Sequence, residues 1–154
     1  MAIDTNEIRS TLNDLISTCK DGENGFRSAA EGVKSSDLQS LFQKLSSQRA
    51  QFASELQSEV AKLGGSPDTS GSVAGAMHRG WLNVKSAVTG QDDAAVIAEC
   101  ERGEDAAKEA YEKALAKGLP SDLQSVVQRQ SREVHQAHDQ VSALKHRTSG
   151  ASSY

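Results

Sequence analysis

Leu123, Val127, Gln130, Val134, Ala137, Val141 and Leu144 follow one another at alternating steps of four and three residues. An α-helix gathers such positions onto one stripe, and a stripe this apolar has to be buried against other helices. Three further segments carry related spacing. Ile8, Leu12, Leu15, Cys19, Phe26, Ala30 and Val33 mark the first, and Leu38, Leu41, Phe42, Leu45, Phe52, Leu56, Val60 and Leu63 the second. Ile97, Cys100, Tyr111 and Leu115 mark the third. Aromatics make up only 4% of the chain and β-branched runs are nearly missing, so an all-α protein is expected.

The breakers set the boundaries. The first helix is expected from about Asp4 or Thr5 to Val33, and Ser35-Ser36-Asp37 turns the chain and caps the second. Gly64-Gly65-Ser66-Pro67 ends the second, and a third begins near Asp92. Gly118-Leu119-Pro120-Ser121 stops that helix and starts the fourth. Between the second and third, Val73, Ala76, Met77, Trp81, Val84 and Val88 predict a shorter amphipathic helix. Two helical hairpins joined by about 28 residues (64–91) form the ferritin-like four-helix bundle with one long crossover. A five-helix array is the alternative. One domain over 1–147 is expected, with a disordered tail at 148–154.

Charge and composition narrow the function. The net charge of -4 mixes both signs without a basic patch, so no nucleic-acid partner is expected. No apolar run reaches the roughly 20 residues of a membrane span, and the first residues do not form a signal peptide. The expected compartment is the cytoplasm, with Cys19 and Cys100 as buried, reduced thiols.

Several polar residues interrupt the apolar stripes: Glu23, Gln48, Arg49, Glu104, His135 and His138. Glu23 lies 12 residues before the first turn and Gln48 13 after it; Glu104 and His135 are about equally far from the second turn. In a bundle about 40 Å long these four would share a mid-bundle layer, with His138 and Glu101 about a turn away. A two-metal carboxylate site takes one Glu from each of two helices and Glu-x-x-His from each of the others. Here the second helix offers Gln48-Arg49-Ala50-Gln51, and the fourth lacks the carboxylate. A two-metal site would be hard to hold without bridging carboxylates, and two further readings stand beside it. One is a structural Arg–Glu–Gln–His layer that fixes helix register, with Arg49 facing Glu23 or Glu104, and with Gln48, Glu101 and Gln130 as partners. The other is a site for one Fe, Mn or Zn ion held by Glu23, Glu104, His135 and His138.

Weaker signals remain. His78, Arg79 and Trp81 form either a partner surface or, for Trp81, a packing contact. Gly22 and Gly25 suggest that a neighbouring helix approaches closely, and Glu99, Glu101, Asp105 and Glu109 read as a solvated face. The chain has no P-loop, Rossmann glycine pattern, Cys-x-x-Cys or HExxH, and no serine in a distinctive strand–turn setting.

Three stretches together resemble a family: Arg49-Ala50-Gln51-Phe52-Ala53-Ser54-Glu55-Leu56, Gly75-Ala76-Met77-His78-Arg79-Gly80-Trp81, and Arg102-Gly103-Glu104-Asp105-Ala106-Ala107. They are similar to a bacterial domain-of-unknown-function family classed with ferritin-like, rubrerythrin-related bundles, and the resemblance runs to about residue 146. It implies a ferritin-like fold in a bacterial cytoplasmic protein and brings no established activity. The expected function is a non-enzymatic, stress-associated binding or interaction protein, with an apolar strip beside the connecting helix for a homodimer. The runner-up is a metal-dependent oxidoreductase or iron-handling protein using Glu23, Glu104, His135 and His138. A third reading is an adaptor that docks a partner through His78 to Trp81.

Overall fold

The computed structural model describes residues 4–64, Trp81 and 93–151. The short helix expected over 73–88 and the last three residues lie outside this set, apart from Trp81. Among the described residues all regular structure is helical, in four helices.

Helix α1 spans Thr5–Gly32 and starts where the Asp4 side chain accepts the Glu7 N–H at 2.8 Å. Its buried face carries Ile8, Leu12, Leu15, Cys19, Phe26 and Ala30, the stripe expected from the spacing. Val33 is already extended, although its N–H still bonds to the Ala29 carbonyl. Ser35 then caps α2 (Ser36–Lys62) by accepting the Leu38 N–H. Gly64 and Gly118 follow α2 and α3 (Asp93–Leu115) at φ of 82° and 76°, a backbone region that glycine enters without steric cost. Helix α4 runs over Ser121–Ala151, four residues into the stretch expected to be a disordered tail. No proline interrupts it, and its helical hydrogen bonding continues past Thr148.

Three residues join α1 to α2 and five join α3 to α4, so each pair is an antiparallel hairpin. The hairpins are oriented by contacts between α1 and α3. At one end the Asp93 carboxylate accepts the N–H groups of Lys34 and Ser35, at 3.0 and 3.4 Å. At the other, Lys117 reaches Glu7 at 3.8 Å. Helices α1 and α3 are therefore antiparallel, which makes α2 and α3 parallel. The connection between those two has to travel the length of the bundle, about 40 Å for a 27-residue helix. This is ferritin-like connectivity.

The core falls into two apolar clusters. Ile8, Leu12, Leu15, Phe52, Leu56, Val60, Tyr111, Leu123 and Val127 build one, toward the α3–α4 turn. Phe26, Val33, Phe42, Leu45, Val96, Ile97, Ala137 and Val141 build the other, toward the α1–α2 turn. Arg49 and Glu104 are buried among these helices but belong to neither cluster.

Candidate functional site

Arg49 is 1% exposed and Glu104 is not exposed at all. The guanidinium donates from Nη1 to Glu104 Oε1 at 2.5 Å and from Nη2 to Oε2 at 2.7 Å, a bidentate pair across α2 and α3. Its third nitrogen, Nε, donates to Gln48 Oε1 at 3.2 Å. The ring of Phe26 lies 5.4 Å from the guanidinium carbon, within cation–π range. Gly22 makes room for the side chain, because a Cβ there would meet Arg49 Cγ at 3.3 Å. Burial works against the Arg49 charge, but the Glu104 carboxylate outweighs it and holds the guanidinium more firmly protonated than usual.

A second buried chain begins one helical turn before Gly22. Cys19 Sγ lies 3.1 Å from the Tyr111 hydroxyl, which donates to Gln130 Oε1 at 2.7 Å. Since the phenol proton is committed to Gln130, the thiol is the donor to Tyr111. Gln130 Nε2 passes the chain to Glu55 Oε1 at 2.8 Å, with a longer approach of 3.5 Å to the Phe52 carbonyl. Glu55 also pairs with Arg129 at the surface. Burial pushes the Cys19 thiol up to about 11 and Tyr111 well above the usual phenol value. Neither group ionises near neutral pH. For Glu55, burial would raise the pKa, but the bonds from Arg129 and Gln130 outweigh it and lower it.

Of the residues singled out by spacing, Arg49, Glu104, Gln48 and Gln130 enter these two networks. Glu23 does not. It stands at the bundle edge, bonded to Arg27 at 2.9 Å and 3.6 Å from Lys20, while its backbone carbonyl accepts the Ser46 hydroxyl. Each helical residue turns the side chain by about 100°, so Gly22 and Phe26 face inward and Glu23 falls beside them. The histidines are displaced in the same way from Val134 and Ala137. His138 Nε2 lies 2.6 Å from Asp105, and His135 lies 3.7 Å from Glu112. Among the described residues no three His, Cys, Asp or Glu side chains converge as a metal-ligand group. Glu101 is half-buried on α3. Glu99, expected on a solvated face, is buried and paired with Arg102 at 2.7 Å.

Spacing alone missed Cys19, Tyr111 and Glu55 as members of a polar chain, because two of them read as apolar stripe positions. It also missed the partner of Gly25. No described helix fills the space there. Trp81 does, with its indole seated against both Gly25 on α1 and Gly103 on α3. The pairing of a lone Trp with glycines on two separate helices was the signal available. His78 and Arg79, named with Trp81 as a partner surface, lie outside the described residues.

A groove of about 480 Å³ opens between α2 and α4, with Leu45 and Ala137 at its base and Lys44, Gln48, Glu133, Gln136, Asp139 and Gln140 among its lining. Gln48 thus lines this groove while accepting from Arg49. No described helix is long and apolar enough to cross a membrane.

Comparison with known proteins bears on fold and family. A point mutant of Dps1 from Mycobacterium smegmatis has a similar structure, with a TM-score of 0.75 over 92% of this chain and 96% of that one. The two are 15% identical, so the likeness concerns the fold. No curated protein matches the chain in sequence. A family described as a domain of unknown function, DUF2383, matches residues 7–117, from the first turn of α1 to the end of α3, and stops short of α4. The chain belongs to the DUF2383 family.

Proposed function

We propose that this protein is a non-enzymatic, ferritin-like interaction protein whose mid-bundle polar layer is structural, setting the register of α2 against α3. The observation that carries this reading is the closure of the Arg49–Glu104 pair. Both carboxylate oxygens are taken by the guanidinium, one from each terminal nitrogen, and its Nε–H is taken by Gln48. A buried ion pair of this kind holds α2 and α3 in one arrangement across the bundle interior, because any slip strands two charges away from water. Contacts with partners then fall to the surface, where the α2–α4 groove offers amides, a lysine and two carboxylates to a polar partner.

The test is anaerobic titration of the metal-free protein with Fe(II) and with Mn(II), followed by calorimetry, beside a Glu104→Gln variant. The expected result is no saturable heat that depends on Glu104. Saturation near one or two equivalents in the parent, lost in the variant, would overturn the structural reading and make the layer a metal site.

A further inference from the structure

Trp81 is the chain's only tryptophan, and it lies between α2 and α3 in sequence. Its indole rests on the bare backbone of two antiparallel helices. A Cβ added at Gly25 or at Gly103 would fall well under 3.0 Å from ring carbons, a distance that real Cβ atoms essentially never reach. The ring also meets Phe26 edge-on, with centroids 5.1 Å apart and planes at 72°. Phe26 stacks with Phe42 at 5.9 Å and lies under the Arg49 guanidinium at 5.4 Å. Trp81 therefore touches the ring that supports the buried ion pair. Both glycines lie in helix interiors, where alanine is ordinarily the better residue.

We infer that Gly25, Gly103 and Phe26 form a binding slot for a planar aromatic ring, filled in cis by Trp81, which fastens the α2–α3 connection over the Arg49–Glu104 layer. The slot takes an indole because its two walls are helix backbone without side chains and its end is the edge of Phe26. Emptied of Trp81, it accepts free indole, as an apolar cavity with fixed walls takes up a ligand of matching shape. The ion pair beyond Phe26 then loses its cover and becomes accessible to water.

Two variants test this in the full chain. Trp81→Ala should melt at a lower temperature than the parent, and added indole should raise that temperature in a saturable way. The same addition to Trp81→Ala combined with Gly103→Ala should do nothing, because the new methyl group occupies the slot. Gly103→Ala alone keeps Trp81 as its own reporter. Its fluorescence should shift to the red and its denaturation midpoint should fall, opposite to the usual effect of alanine in a helix. Should Trp81→Ala fail to fold, Gly103→Ala decides: unchanged emission with a raised midpoint overturns the slot. A folded Trp81→Ala that is indifferent to indole overturns it equally.

Discussion

Glu104 accepts from both terminal nitrogens of Arg49, and neither side chain touches water, so removing one strands the other. Glu104→Ala should cost about 3–5 kcal/mol, since a guanidinium without its counter-ion is left inside the bundle. Replacing both partners, Arg49→Met with Glu104→Leu, should recover most of that loss, because neither a charge nor an unpaired donor remains. Urea midpoints at constant slope measure both values. A Glu104→Ala midpoint equal to the parent's would remove the ion pair from any account of stability. The candidate site was only partly legible at this scale. Arg49, Glu104, Gln48 and Gln130 could be picked out because they are polar at stripe positions. Tyr111 and Cys19 could not, because a phenol or thiol at such a position reads the same whether or not its polar atom has a partner.

At the scale of the helix, register is set by end contacts as well as by stripes. Asp93, in the first turn of α3, accepts two backbone N–H groups, those of Lys34 and Ser35, from the turn that joins α1 to α2. Asp93→Ala releases both donors and removes a carboxylate from a helix N-terminus, where it interacts well with the helix dipole. A loss of about 1–2 kcal/mol is expected. Hydrogen exchange at Lys34 and Ser35 should quicken in the variant, with exchange in the middle of α1 changed much less. Equal acceleration along all of α1 would show that the contact holds up the whole helix instead of its end.

For the whole molecule, connectivity dictates what the linking stretch has to do. Helices α2 and α3 are parallel, so their joined ends are separated by about 40 Å. Eight residues reach about 28 Å at full extension. Replacing residues 65–92 with an eight-residue linker should therefore prevent both hairpins of one chain from packing together, and should force exchange of hairpins between two chains. Light scattering after size exclusion should then find a dimer or larger species and little folded monomer. A stable monomeric variant with parent-like helicity would contradict the parallel arrangement of α2 and α3.

The four long helices, most of their ends and their apolar faces were determined by the sequence alone. Apolar spacing and the breakers at Ser35, Gly64 and Gly118 are local signals, and a helix is a local structure. The ferritin-like plan also followed, because the stretch between the second and third long helices is long enough to run the length of the bundle. Only the tertiary structure decided which polar residues meet. Glu23 and Glu104 are equally plausible partners for Arg49 by position along the bundle, yet a rotation of one residue puts Glu23 at the edge with Arg27 and leaves Glu104 inside. The two histidines turn away from the layer for the same reason and pair with Asp105 and Glu112. Trp81 shows the limit most plainly: the glycines that admit it are 78 positions apart in the chain and become one site only when α1 and α3 are packed.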